Sequence, residues 1–284
     1  MLKPTPPLCC LLLLFCMSCS SLRYVSGYST ASVKALQSFE TLDYSFNKAC
    51  RDKCLYEQLD EQKLLANDCN CSLEAKADSV IQNLFSVTNF YMEGLIKLSD
   101  NKLTSYSYEG LAGNITAGKI GNIIISERQA VAFQKIATTL TNAVTNRYRK
   151  KKLKQYIAEA NEPLQVIIEA LQFNLVGNLG GRLNTQQERL KAYTFDLFQN
   201  KDISAYEKKL IIEQYNSSIT ELEMIRKRIE TLSLQLGTIA QGHNELNKNR
   251  YRLNDKNLNL AGKLAGYSAT LSKLITEFNT LKKL

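Results

Sequence analysis

The chain has no tryptophan, one histidine and four prolines among its 284 residues. Scarce proline favours long helices, because a proline in a helix interior removes a backbone hydrogen bond. The single histidine, His243, argues against catalytic triads and metal centres that use several imidazoles. No G-x-S-x-G, H-E-x-x-H, P-loop or G-x-G-x-x-G motif occurs. The sequence therefore predicts a protein that is not an enzyme and holds no cofactor or metal ion.

Apolar runs long enough to cross a bilayer are also missing. The run from Leu8 to Met17 has ten residues, whereas a transmembrane helix needs about 20. Its length, and the single Lys3 before it, fit the hydrophobic core of a signal peptide. Residues 1–18 are therefore predicted to be a signal peptide.

The residues after this run suggest a lipid anchor. Ser18 precedes Cys19, and Ser20 and Ser21 follow. This resembles the lipobox of bacterial lipoproteins, in which a small residue precedes a cysteine that is acylated, for example with palmitate, and becomes the mature N-terminus. Cys16 stands where leucine is usual. The resemblance implies a cell-envelope lipoprotein anchored through Cys19, and Ser20 favours the outer membrane, facing the periplasm. The alternative is an ordinary secretory signal that leaves the chain unanchored.

The charge balance is basic, with 36 Lys and Arg against 27 Asp and Glu and a formal net charge of +9. A basic balance favours anionic partners. Export argues against nucleic acid as that partner. Anionic lipid headgroups and acidic envelope polymers are the predicted anionic partners.

Four cysteines remain once the signal peptide and Cys19 are set aside: Cys50, Cys54, Cys69 and Cys71. An even number suits two disulfides in an oxidising compartment. Cys50 and Cys54 share one helix face, and residues 67–71 read as a turn, so a hairpin would nest Cys54–Cys69 inside Cys50–Cys71. Cys69 and Cys71 can both face that helix only if the chain is irregular between them. A four-thiolate zinc site and free thiols are the alternatives.

Apolar residues recur every three or four positions through most of the chain, which predicts an all-α fold. The first predicted helices cover about 30–66, 72–99 and 123–159. Asn161-Glu-Pro163 is expected to restart the chain as a fourth helix, because proline fits a first helical turn. An interruption is expected at Gly177–Gly181.

One heptad pattern dominates the C-terminal part, over residues 211–281. Ser204 and Glu207 form a capping box before it. Three successive seam positions, His243, Arg250 and Asn257, are polar. Two structures fit: one helix of about 105 Å that needs a partner chain, or a hairpin that turns near 241–249 with His243 marking the turn. The hairpin is favoured because its arms would match the lengths of the other helices.

These elements predict an elongated up-and-down helical bundle with a coiled-coil-like C-terminal hairpin. The expected segments are a tether at 19–29, a disulfide-stapled hairpin at 30–104, a Gly-rich loop at 105–122, central helices at 123–203 and the heptad hairpin at 204–284.

A basic cluster lies at residues 147–154. Its six cations are Arg147, Arg149, Lys150, Lys151, Lys152 and Lys154. Placed near the end of the predicted 123–159 helix, they would suit the negative end of its dipole. The cluster is interpreted either as a solvated helix end or as a patch that binds anionic headgroups or a partner.

Together these features predict a membrane-tethered, non-enzymatic helical scaffold. Its partner would be another protein, a second copy of the chain bound through the 211–281 seam, or an envelope polymer. The alternative is a membrane-active, pore-forming-like protein that inserts the Gly-rich segment 105–122.

Overall fold

The structure is a computed structural model that describes residues 22–60, 69–100, 115–139, 149–253 and 258–281. Within these ranges the helices are α1 (Arg23–Gln37), α2 (Phe46–Asp60), α3 (Ser72–Ser99), α4 (Glu127–Thr139), α5 (Arg149–Gln172), α6 (Gly180–Gln199), α7 (Ala205–Lys248) and α8 (Leu258–Thr280). Strands β1 (Gly118–Ile120) and β2 (Ile123–Ile125) pair as a short antiparallel hairpin. The predicted all-α bundle is confirmed.

Helix α7 is the longest, about 66 Å at 1.5 Å per residue, and α1 packs antiparallel to it. At one end of the contact, Tyr24 Oη donates a hydrogen bond to the carbonyl oxygen of Leu253 at 3.1 Å. Further along, Tyr28 Oη donates to the carbonyl oxygen of Ile239. The first helix of the bundle therefore begins where α7 ends.

Helix α5 also runs antiparallel to α7. The Gln165 side chain donates to the carbonyl oxygen of Ala240 at 2.9 Å, and the Gln172 side chain donates to that of Ser233 at 2.9 Å. The N-terminus of α5 therefore lies at the same end of the bundle as the N-terminus of α1.

Helices α7 and α8 form the predicted antiparallel hairpin. Lys263 pairs with Glu245 at 2.7 Å near the turn, and the Arg228 guanidinium lies 4.4 Å from the Phe278 ring near the other end. The capping box at Ser204 starts α7 as predicted. The chain itself buries the seam at Leu222, Ile225, Ile229, Leu232, Leu236, Ile239, Leu246, Leu253, Leu260, Leu264, Leu271 and Phe278.

The turn of this hairpin lies further along the chain than predicted. Helix α7 continues to Lys248, so Gly242 and His243 are both helical. A Cβ at Gly242 would lie 2.9 Å from Cζ of Tyr28 and closer still to its Cε2. Gly242 therefore makes room for the Tyr28 ring of α1 and does not break the helix.

His243 joins three helices through a buried hydrogen-bond cluster. Its Nε2 lies 2.7 Å from Oη of Tyr91 on α3, and its Nδ1 lies 3.0 Å from Oδ1 of Asn161 on α5. A neutral ring that donates from Nδ1 and accepts at Nε2 satisfies both partners. Burial lowers the pKa of His243 to about 3, which keeps the ring neutral. The interpretation of His243 as a turn residue is wrong.

The central helices differ from the prediction in two places, at the expected helix start at residue 123 and at the expected restart at Pro163. Residues 123–125 form β2, so the predicted helix from 123 begins only at Glu127, as α4. Helix α5 starts at Arg149 and runs through Pro163 without restarting. Pro163 is buried, and its neighbours Ala160 and Leu164 are fully buried. The free energy gained by burying this face of α5 outweighs the loss of the backbone hydrogen bond that the proline removes.

The interruption expected at Gly177–Gly181 takes the form of a helical irregularity. A π-helical segment, Phe173–Leu179, follows α5 directly, and α6 continues from Gly180. The helix therefore changes its hydrogen-bond pattern here and continues without ending.

The first predicted helix, 30–66, divides into two. Helix α1 ends at Gln37, and a 3-10 turn, Ser38–Thr41, leads into α2 at Phe46. The Asp78 carboxylate accepts the backbone N–H groups of Phe46 at 2.8 Å and of Asn47 at 3.0 Å, so a residue of α3 caps α2. The predicted tether is helical from Arg23 onward, and residues 19–21 lie outside the described residues.

Two nested disulfides join α2 to the segment before α3. Cys50 pairs with Cys71 at a Cα–Cα distance of 5.9 Å, and Cys54 pairs with Cys69 at 6.0 Å. The chain is irregular there, because the Cys71 N–H donates to the carbonyl oxygen of Cys69 at 3.2 Å. The pairing matches the prediction, and the zinc alternative has no thiolates left to use.

The described end of the Gly-rich segment belongs to a short hairpin that is exposed from Thr116 to Lys119 and buried at Ile115. Gly118 and Gly121 have φ angles of 152° and 58°, which suit glycine in the β1–β2 hairpin. Ile123 and Ile125 of β2 are buried. Residues 105–114 of the predicted loop lie outside the described residues.

The Gly242 contact predicts opposite effects for two alanine substitutions. Gly242→Ala should lower the free energy of unfolding by about 1–3 kcal/mol, because the new methyl group overpacks the Tyr28 ring. Gly266→Ala in α8 has open space around it and should raise that free energy by up to about 1 kcal/mol. Urea unfolding of both variants checks this, and a Gly242→Ala protein as stable as the Gly266→Ala protein would contradict it.

The depressed pKa of His243 predicts acid sensitivity. Below the ordinary pKa of 6.5, the unfolded chain takes up a proton that the folded protein refuses until about pH 3. Its contribution to stability is therefore complete above pH 6.5 and falls by up to about 1.4 kcal/mol per pH unit below it. His243→Gln should show a shallower loss of stability between pH 6 and pH 4. Equal slopes for the two proteins would overturn the assignment.

Candidate functional site: the basic pole

Three parts of the chain meet at the end of the bundle where α7 leads into α8. They are the N-terminus of α1, the first turns of α5 and the 3-10 turn Arg250–Arg252. Tyr24 of α1 bonds to Leu253 at 3.1 Å, and Lys154 Nζ of α5 donates to the carbonyl oxygen of Tyr251 at 3.3 Å. These contacts bring two basic segments together beside the start of the described chain.

We define the basic pole as the described cations of these two segments. They are Lys151, Lys152 and Lys154 of α5, and Lys248, Arg250 and Arg252 at the end of α7. Arg149 and Lys150 belong to the first turn of α5, although their side chains are not described, and Arg147 lies outside the described residues. The structure therefore joins part of the predicted patch to three cations from the other end of the sequence.

The cations of the basic pole lack close ion pairs in the part of the chain that the structure describes. Within the described ranges, none of their side chains forms an ion pair with Asp or Glu. The nearby Glu245 pairs with Lys263 at 2.7 Å instead. Lys151, Lys248 and Arg252 are exposed to solvent. Their fields add to give a positive potential over this end of the molecule.

The basic cluster of α5 does not lie at the helix end that was predicted. It occupies the first described turns of α5, and α5 continues through residue 159 as far as Gln172. The cations therefore do not stand at the C-terminal end of a helix over 123–159, where they would have suited the negative end of its dipole.

Aromatic rings accompany the cations. Tyr251 is 71% exposed, and the Arg250 guanidinium lies 4.5 Å from its ring. Lys152 Nζ lies 5.9 Å from the ring of Tyr156, whose pKa is raised by burial, so this phenol stays neutral. An exposed tyrosine beside cations suits a boundary between water and lipid headgroups.

A concave feature lies elsewhere, beside the disulfides. This cleft of about 510 Å³ is lined by side chains of both signs, including Lys53, Glu57 and Arg189. Arg182 in its wall pairs with Glu74 at 3.3 Å. Because four of its five lining charges pair with one another, as Lys53 with Glu57 and Arg182 with Glu74, the lining indicates no particular class of ligand.

Sequence reasoning missed half of the basic pole. It took Arg250 as a polar position of the heptad seam and gave no weight to Lys248 or Arg252. The signal that could have found them is the basic, aromatic run Lys248-Asn-Arg-Tyr-Arg252 at the turn of a predicted hairpin. Such a turn stands at one end of a bundle, where helix termini from distant parts of the sequence meet.

Within the described residues, no helix combines the length and apolar character that crossing a membrane requires. The chain matches no protein-family model, no curated protein and no solved structure in the comparisons made. What the basic pole binds therefore has to be inferred from its own residues.

Proposed function

We propose that the protein is a non-enzymatic helical interaction module of the bacterial cell envelope, anchored in the outer membrane by a lipid on Cys19. The observation that carries the proposal is the lipobox-like sequence ending at Cys19, only three residues before Leu22, where the described bundle begins. A lipid at Cys19 would hold the bundle directly against a membrane, with almost no spacer.

The disulfides support export. Cys50–Cys71 and Cys54–Cys69 use all four cysteines that follow Cys19 in the sequence. Disulfides of this kind persist in oxidising compartments and are rare in the cytosol. They suit a chain that leaves the cytoplasm with a signal peptide at residues 1–18.

The state of the single histidine supports a role other than catalysis. A general base must reach its substrate and titrate near the working pH. His243 is fully buried, and burial holds its pKa at about 3. It therefore acts as a structural hydrogen-bonding group between helices.

Exposed apolar side chains support an interaction role. Phe195 and Phe198 of α6 and Tyr206 and Leu210 of α7 are 40–68% exposed. Lys208 Nζ lies 5.3 Å from the Phe198 ring, so the two helices present these side chains at one tip. Large apolar groups clustered at a surface are typical of protein contacts.

The seam leaves less room for a second copy than the sequence suggested. This chain itself buries the described seam positions from Leu222 onward that are named above. Ile211 and Tyr215, at the start of the seam, are half-buried. Self-association through the seam would therefore use its first turns, next to the apolar tip.

The proposal predicts the mass of one peptide. In protein purified from native membranes, the N-terminal tryptic peptide should start at Cys19, end at Arg23 and carry diacylglyceryl and acyl groups. Cys19→Ser should abolish the modification and release the protein from the membrane-anchored pool. Mass spectrometry of both proteins tests this, and an unmodified N-terminus in the wild type would refute the anchor.

The same samples test the compartment. Alkylation before reduction should leave Cys50, Cys54, Cys69 and Cys71 unmodified, whereas alkylation after reduction should label all four. Four labelled cysteines before reduction would contradict export to an oxidising compartment.

A further inference from the structure

We infer that the basic pole docks on an anionic phospholipid surface, so that the bundle stands on the membrane with α7 pointing away from it. The inference rests on the proposed function and deepens it, because it names the second membrane contact and the orientation that this contact imposes.

The first step is the position of the tether. Leu22 is buried, and Tyr24 is bonded to Leu253 beside the basic pole. The three residue steps from Cys19 to Leu22 span at most about 11 Å when the chain is fully extended. A lipid on Cys19 would therefore keep the basic pole close to the headgroups, whatever the tilt of the bundle.

The second step is the charge. None of the cations of the basic pole forms an ion pair with Asp or Glu in the described part of the chain, and Lys151, Lys248 and Arg252 face solvent. The Debye length at physiological ionic strength is about 8 Å, which is comparable with the reach of the tether. Each cation near an anionic membrane strengthens binding by roughly fivefold.

The third step is the choice of the membrane over a soluble polyanion. A lipid chain combined with a polybasic surface is the usual pair of signals for stable membrane attachment. Tyr251, 71% exposed among these cations, adds an amphipathic ring of the kind found at headgroup level. A polymer would need neither the exposed ring nor the proximity of Cys19.

Docking would also fix the position, relative to the membrane, of the apolar tip formed by Phe195, Phe198, Tyr206 and Leu210. The tip at Tyr206 lies at the other end of α7, about 60 Å from the basic pole at 1.5 Å per residue. A bundle that stands on its basic pole would hold the tip away from the headgroups, where a partner protein can reach it.

The test uses the mature chain with Cys19→Ser, so that no lipid obscures binding by the bundle. Binding is measured by co-sedimentation with vesicles of phosphatidylcholine alone and with vesicles containing 30% phosphatidylglycerol. The pole variant is K151Q/K248Q/R252Q, and the matched control is K191Q/K201Q/K227Q. Both remove three exposed cations, but only the first changes the basic pole. Circular dichroism checks that both variants are folded.

We expect the unsubstituted bundle to bind the anionic vesicles, to ignore the neutral ones and to be released by 0.5 M NaCl. The pole variant should bind at least tenfold more weakly, whereas the control should stay within twofold. Equal losses in the two variants would mean that only net charge matters, and would overturn the inference. Absence of binding to anionic vesicles would overturn it as well.

Two further outcomes distinguish membrane docking from polymer binding and from the lipid anchor. Binding of a fluorescent anionic polysaccharide at the pole, without binding to vesicles, would identify the partner as a polymer and reject docking. An unmodified Cys19 in the native protein, combined with pole-dependent vesicle binding, would reject the lipid anchor and leave the docking surface standing.

Discussion

The close approach of α1 to α7 at Gly242 is the contact on which the arrangement of the bundle depends. The Tyr28 ring occupies the space that any side chain at this position would fill, and its hydroxyl bonds to the Ile239 carbonyl one turn away. Because α1 is fixed there, its N-terminus reaches Leu253. One packing contact inside the core therefore determines where the proposed lipid-bearing end of the chain emerges.

Buried polar groups then fix the alignment of the other helices. His243 meets Tyr91 and Asn161, and a shift of α3 or α5 by one turn would leave these groups without partners. Such a loss costs about 1–3 kcal/mol for each buried group. Near the far end of the hairpin, the buried Arg228 donates to the Thr41 carbonyl and packs on Phe278. Apolar seams permit several alignments, and these few polar contacts select one.

The features that depend on the spacing of residues along the chain were predicted well from the sequence. The heptad pattern identified the α7–α8 hairpin, and cysteine spacing identified the nested disulfides.

The predictions failed where a distant residue decided the local structure. Gly242 and His243 look like a turn until Tyr28 and Tyr91 are placed against them. Pro163 looks like a helix start until the buried face of α5 is known. The capping of α2 by Asp78 leaves no local signal, because the two lie on different helices. For the same reason the sequence showed half of the basic pole, since Lys154 and Tyr251 come together only through the fold.

The central claim is that the lipid anchor and the basic pole lie at one end of the bundle and together orient it. Two exposed tyrosines at opposite ends of the molecule, Tyr251 at 71% and Tyr206 at 68%, allow a matched measurement. A fluorophore is attached to Tyr251→Cys or Tyr206→Cys in the lipidated protein on vesicles that carry a headgroup-bound quencher. The account predicts strong quenching at position 251 and almost none at position 206. Equal quenching at both positions, or stronger quenching at 206, would show that the bundle lies flat or stands on its other end.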